Sequence, residues 1–118
     1  MADFSTTPDY FDSREVIERI AELESIAVID RDEDEQEELD ALYVLAEEAE
    51  GNVTDWEYGE TFIHEDYFED YAEEFIVDCG YIPADLPSWI VIDWKETADN
   101  LKADYGTYSF RGETYYAR

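Results

Sequence analysis

Positive charge is what this 118-residue sequence most lacks. It has 7 Lys and Arg residues against 34 Asp and Glu residues, so its formal net charge is −27 at pH 7. Nucleic acids and anionic membranes are bound through Lys and Arg, and the composition argues against both as ligands. The repulsion among the acids also destabilises a compact state. A basic protein is therefore the partner that this composition favours.

Cysteine, histidine and long apolar runs are scarce as well. The single Cys79 excludes an internal disulfide, and its position among apolar residues predicts a small buried side chain in a reducing cytoplasm. No apolar run approaches the roughly 20 residues of a transmembrane helix. Met1 is followed by Ala-Asp-Phe rather than by basic residues, so we expect a soluble protein without a signal peptide.

Aromatic residues, by contrast, are plentiful. They make up 16% of the chain, and all hydrophobic residues together make up 45%. Disordered acidic segments are poor in aromatic residues, so we expect this chain to fold as one domain despite its charge. We interpret Tyr67 and Tyr71 as part of the packed core.

The strongest pattern lies in residues 64–80. Phe68, Ala72, Phe75 and Cys79 recur at helical spacing, which predicts one helix with one apolar face. The rest of its surface carries seven acids and no base: Glu65, Asp66, Glu69, Asp70, Glu73, Glu74 and Asp78. Mixed charge would stabilise a solvated helix face better. We therefore interpret the excess of acids as functional, and we predict that these acids contact a partner.

The first half of the chain predicts an acidic helical hairpin over residues 12–50. Asp12 and Glu15 have the spacing of a capping box, and apolar residues follow at helical spacing. The acidic run after this helix either forms a loop or opens the second helix, which Glu50-Gly51 ends. We assign a second charged patch to this run, formed by Asp32, Glu33, Asp34, Glu37 and Glu38.

Shorter elements are predicted elsewhere. Residues 1–11 read as a loose lead-in, and Thr61-Phe62-Ile63 predicts a short strand. The run Trp89-Ile90-Val91-Ile92 fits either a strand or the start of a helix. Asp93 and Glu96 repeat the capping-box spacing, and Gly106 is expected to end the helix that follows.

The end of the chain predicts a β-hairpin. Residues 107–110 and 113–116 alternate around Arg111-Gly112. With the predicted helices, this pattern gives the fold class. We expect a mainly helical α+β single domain with a small antiparallel sheet and a strongly acidic surface.

Metal-binding patterns are weak. Asp30, Asp32 and Asp34 match the first alternating ligands of an EF-hand loop. Glu35 and Ala41 then stand where that loop requires Gly and a bidentate Glu. With one His and one Cys, a zinc site is disfavoured as well. We therefore expect no specific metal site and no cofactor.

Catalytic patterns are equally weak. His64 and Cys79 would lie about 22 Å apart at opposite ends of one predicted helix, too far for a base and a nucleophile. The sequence has no phosphate-binding loop, no GxGxxG and no GxSxG. Pairs of carboxylates are expected by chance among 34 acids. We expect that the protein is not an enzyme.

The amount of charge suggests a comparison with DNA. Carboxylates four residues apart on a helix rise about 6 Å, a spacing comparable to that of backbone phosphates. The 27 net charges equal those on about 46 Å of duplex. One interpretation is that the protein imitates DNA. The alternative is that the charge serves solubility or life in high salt.

Residues 61–118 also carry short motifs in a characteristic order. They are Tyr67-Phe68-x-x-Tyr71-Ala72-Glu73-Glu74, Leu86-Pro87-Ser88-Trp89, Ile92-Asp93-Trp94, Ala98-x-x-Leu101-x-x-Asp104-Tyr105 and Thr114-Tyr115-Tyr116, with Gly80, Phe110, Gly112 and Arg118. In these motifs the segment resembles the C-terminal part of the ArdA-type antirestriction proteins of plasmids and phages. The chain is shorter than that family's members, and its first 55 or so residues do not match their N-terminal domains.

The resemblance implies a function. Members of that family look like B-form DNA and occupy the DNA-binding channel of type I restriction–modification enzymes. By this resemblance the chain is a DNA-mimic inhibitor of a basic DNA-binding protein of a host defence system, in the cytoplasm of a bacterial host. Because the first half does not match, a CRISPR effector is an alternative target. An acidic adaptor that docks on another basic partner is a further interpretation. The sequence leaves open whether a homodimer lengthens the charged surface.

Overall fold

The computed structural model describes residues 4–83 and 85–118, which form four α-helices, four β-strands and one short 3₁₀ turn. In chain order they are β1 Tyr10–Asp12, α1 Ser13–Glu24, the 3₁₀ turn Val28–Asp30, α2 Glu33–Glu50, β2 Thr61–His64, α3 Phe68–Asp78, α4 Trp94–Lys102, β3 Gly106–Phe110 and β4 Glu113–Ala117. The predicted α+β single domain with a small antiparallel sheet is confirmed.

The four strands form one sheet in the order β1-β2-β4-β3, and every neighbouring pair is antiparallel. The predicted hairpin joins β3 to β4. Arg111 and Gly112 both have positive φ, at 52° and 80°. This is the backbone that a two-residue type I′ turn requires, and only the glycine adopts it without strain.

Side chains alternate across the sheet and build two separate cores. Phe62 and Tyr115 pack against α1 and α2, whereas their neighbours Ile63 and Tyr116 pack against α3 and α4. This alternation is the period of two that strands impose. The sheet therefore separates two helical layers, with the hairpin of α1 and α2 on one face and α3 with α4 on the other.

Aspartates begin three of the helices, and for Asp12 and Asp93 the spacing predicted this. The side chains of Asp12, Asp32 and Asp93 accept hydrogen bonds from backbone N–H groups of the first turns of α1, α2 and α4. Glu15 and Glu35 complete the capping boxes of α1 and α2. The acidic run after α1 thus opens α2, which settles the choice between loop and helix.

Replacing Asp12 with Ala tests the cap of α1, and we expect a loss of about 1 kcal/mol in unfolding free energy at pH 7. Burial would raise the pKa of Asp12, but hydrogen bonds from Arg14 lower it below its usual value. Because folding lowers this pKa, the stabilisation is present above about pH 4 and is lost as the pH falls further.

Urea unfolding of the wild type and of Asp12→Ala, at pH 7 and at pH 3, measures this effect. The difference in unfolding free energy should be smaller at pH 3. Asp12→Asn is the matched control, because it keeps a capping oxygen and removes only the charge. An equal difference at both pH values would contradict the assigned role of the carboxylate.

The acidic helix begins later than its pattern predicts, at Phe68 rather than at His64. His64 belongs to β2, where its backbone N–H donates to the carbonyl of Asp9. The N–H of Glu65 donates to the carbonyl of Thr114 in β4. These hydrogen bonds come from distant parts of the chain and hold the backbone at the sheet.

Four other predictions are corrected. Cys79 is exposed rather than buried, because α3 ends at Asp78 and the following Gly80 turns the chain away with a φ of 76°. Gly106 begins β3 instead of ending α4, which stops at Lys102. The run at residues 89–92 forms neither strand nor helix. The expected lead-in contains β1, which pairs with β2.

The molecule is elongated. Its principal dimensions are 62 × 24 × 21 Å, and its radius of gyration is 17.0 Å. A compact domain of this length has a radius of gyration of about 13.5 Å. The molecule is therefore closer in shape to a rod than to a sphere.

Candidate functional site

The acids predicted around α3 are all exposed. Glu65 and Asp66 lie in the turn before the helix, and the other five lie on α3 itself: Glu69, Asp70, Glu73, Glu74 and Asp78. The opposite side of α3 is buried through Phe68 and Ala72. We call the seven acids the α3 acidic face.

The acids on α3 form two rows along the helix. Glu69 and Glu73 are four residues apart, and so are Asp70 and Glu74, which gives a rise of about 6 Å between neighbours. The surface of α3 has an open depression of about 430 Å³. It is lined by Tyr67, Val77 and four of the acids, namely Asp70, Glu73, Glu74 and Asp78. Burial, and then the negative charge of Glu74, raises the pKa of Tyr67.

In the described part of the chain, the acids of this face form no ion pair with Lys or Arg. Within residues 4–83 and 85–118, the ion pairs of Lys and Arg go to acids elsewhere. They join Arg14 to Asp12, Arg19 to Glu22 and Glu38, and Lys102 to Asp99. Arg31 and Arg111 donate to the carbonyls of Ile26 and Phe4. Five of the seven bases thus contact groups outside the α3 acidic face.

Aromatic packing fixes α3 in place. The ring of Phe68 lies 5.2 Å from that of Tyr105 and 5.1 Å from that of Tyr116, measured between centroids. The Lys102 ammonium lies over the rings of Phe68 and Tyr116. Burial, and then a hydrogen bond with Tyr105, raises the pKa of Tyr71 well above its usual value. The acids are therefore displayed on a supported helix.

His64 holds the turn that leads into α3. Its Nδ1 accepts a hydrogen bond from the backbone N–H of Asp66 at 3.0 Å, and its Nε2 lies 3.4 Å from a carboxylate oxygen of Glu113. The side chain is buried beside Tyr115. Cys79 lies exposed beyond the far end of α3, so it does not share a site with His64.

The second predicted patch is exposed at four of its five acids, and these lie at the start of α2: Asp32, Glu33, Asp34 and Glu37. Glu38 is the exception, because it is buried and accepts a hydrogen bond from Arg19 at 2.7 Å. Its spacing from Leu42 and Leu45 is helical, and that pattern places it on the buried side. Glu38 is therefore a structural ion-pair partner and not a surface acid.

The two acidic segments belong to different layers. α2 packs on one face of the sheet, and α3 packs on the other. The α2 acids are therefore a second charged surface rather than an extension of the first. The described residues contain no group of three or more His, Cys, Asp or Glu side chains arranged to hold a metal ion.

Comparison with known proteins gives no relative for this chain. It matches no protein-family model, no curated protein and no solved structure. None of the described helices combines the length and the apolar character needed to cross a bilayer. The structural evidence for a function therefore comes from the exposed side chains of the described residues.

Proposed function

We propose that this protein is a non-enzymatic inhibitor that imitates DNA and binds in the DNA-binding channel of a host defence protein. Its first candidate target is a type I restriction–modification enzyme in the cytoplasm of a bacterial host. The observation that carries the proposal is an exposed, base-free row of acids on a supported helix of an elongated body. The resemblance of residues 61–118 to the ArdA-type family supports the same target.

The charge density is close to that of DNA. When the 27 net charges are spread along the 62 Å axis, each occupies about 2.3 Å. Duplex DNA carries one charge per about 1.7 Å. A channel lined with Lys and Arg to hold DNA would thus meet a similar density of negative charge. The Lys and Arg side chains of the channel would form ion pairs with the exposed acids of α3, which the protein's own described Lys and Arg residues do not.

Restriction–modification enzymes and CRISPR effectors both hold DNA in positively charged channels. The α3 acidic face suits either, and the resemblance favours the first. An acidic adaptor would instead bind a basic surface that never holds DNA. Competition with DNA separates the adaptor from the mimic.

We predict that duplex DNA displaces the protein from the DNA-binding core of a type I restriction–modification enzyme. The two ligands would occupy one channel, so each should exclude the other. Binding should also weaken about tenfold between 50 and 200 mM salt, because exposed charge pairs are screened. Surface plasmon resonance with the immobilised enzyme measures both effects.

The control is an antibody-captured enzyme that has been saturated with a duplex containing its recognition site. The protein should not bind to it. Simultaneous binding of DNA and protein at low salt would reject the shared channel, and an adaptor would then be the better explanation.

A further inference from the structure

The hairpin of α1 and α2 carries a groove that the DNA-mimic proposal does not use. Its volume is about 450 Å³. Its floor is apolar, with Trp56 buried and Ile20 half-buried, and Ile17 is 39% exposed. Three exposed acids stand around it: Glu24, Glu50 and Glu57. We call it the hairpin groove.

The two helices that form the hairpin groove are joined by an ion pair whose carboxylate is buried. Glu24 of α1 also lies close enough to Tyr43 of α2 to raise the pKa of that tyrosine. The Arg19–Glu38 pair joins the same helices at 2.7 Å, with Glu38 buried. A site that is formed before binding loses less entropy when a ligand enters. Because the Arg19–Glu38 pair joins the two helices without a partner, the groove has its shape before a ligand binds.

The lining contains acids and apolar groups but no Lys or Arg. An apolar floor inside an acidic rim is complementary to a segment that has one large apolar side chain flanked by bases. The same rim repels an acidic partner, and a second copy of this chain carries a net charge of −27. A basic segment from another protein is thus the occupant that charge selects.

We propose that the hairpin groove binds a basic amphipathic segment of a partner protein. One large apolar side chain enters between α1 and α2 and contacts Trp56 and Ile17. Lys or Arg residues on either side pair with Glu24, Glu50 and Glu57. The site lies on the opposite face of the sheet from α3, so it operates independently of the α3 acidic face.

A short synthetic peptide of Leu and Lys in amphipathic helical order is the probe, with a fluorescent label for anisotropy measurements. Ala21 is exposed and lines the groove, so Ala21→Trp fills it without removing a buried side chain. We expect this variant to weaken peptide binding about tenfold or more. Glu24→Gln, Glu50→Gln and Glu57→Gln together should weaken it about tenfold.

Two controls separate the groove from general attraction between opposite charges. The first is a peptide with the same lysines and Ser in place of Leu, which should bind at least tenfold more weakly. The second is a variant with Glu18→Gln, Glu48→Gln and Asp104→Asn, which removes three exposed charges away from the groove lining. It should bind the Leu and Lys peptide within about threefold of the wild type.

Circular dichroism and urea unfolding confirm that each variant is folded before binding is measured. Equal binding of the two peptides would overturn the proposal, and so would equal weakening by the groove and control variants. Tight binding to Ala21→Trp would overturn it as well, because the groove is then not the place where the apolar side chain enters.

Discussion

Reversing four acids of α3 is expected to abolish inhibition and leave the protein folded. The changes are Glu69→Lys, Asp70→Lys, Glu73→Lys and Glu74→Lys, all at exposed positions. An exposed ion pair contributes about 0.2–1 kcal/mol, and reversal replaces the attraction with a comparable repulsion. Four reversals together should cost about 4 kcal/mol of binding, which is roughly a thousandfold in affinity.

The matched control reverses four exposed acids that lie off α3: Glu18→Lys, Glu47→Lys, Glu48→Lys and Asp104→Lys. Its net charge equals that of the α3 variant, so a difference between the two reports the position of the charge. The control should retain most of the inhibition in a DNA-cleavage assay with the target enzyme. Equal loss in both variants would contradict the assignment to α3, because inhibition would then depend on the net charge and not on its position.

Folding of the α3 variant can be checked separately. Lysines at Glu69 and Asp70 stand in the first turn of α3, where the helix dipole favours acids, and each costs about 0.3–1 kcal/mol. Relief of repulsion among the remaining acids acts in the opposite direction. Circular dichroism should therefore show a helical content close to that of the wild type.

Local patterns predicted those parts of the fold that depend on nearby residues. Asp12 and Asp93 cap helices because a side chain needs only the N–H groups of the next turn. The hairpin at Arg111-Gly112 is likewise closed by its own turn and adjacent strands. The start of α3 could not be predicted in this way, because the backbones of His64 and Glu65 bond to Asp9 and Thr114.

Surface features also divide into those set by neighbouring residues and those set by distant parts of the chain. Exposure of the α3 acids followed from the apolar stripe on the other side of the helix, which the spacing of Phe68 and Ala72 already indicated. The burial of Glu38 was also visible in its spacing from Leu42, but its partner Arg19 lies 19 residues away in another helix. The hairpin groove could not be predicted from the sequence either, because Trp56, which lines it, comes from a loop outside both helices.

Phe68→Ala tests, without changing the net charge, whether the acids must be held on a fixed helix. Phe68 is fully buried in the core between the sheet, α3 and α4. Removing its ring should cost about 3–5 kcal/mol of unfolding free energy. Among the described residues, the buried side chains that complete this core are Ile63, Ala72 and Ala98, with partly buried aromatic residues and Leu101 packed around them. Phe68 is the largest of the buried side chains, so its loss should weaken the packing of α3.

We expect Phe68→Ala to lower inhibition strongly, with faster hydrogen exchange at the amides of α3. Phe68→Leu is the matched control, because it keeps most of the apolar volume and should cost less than about 1.5 kcal/mol. A disordered acidic segment would lose entropy on entering a channel, which a supported helix has already lost on folding. Full inhibition by Phe68→Ala, despite fast exchange in α3, would mean that a flexible acidic chain suffices and that the helix is not the element recognised.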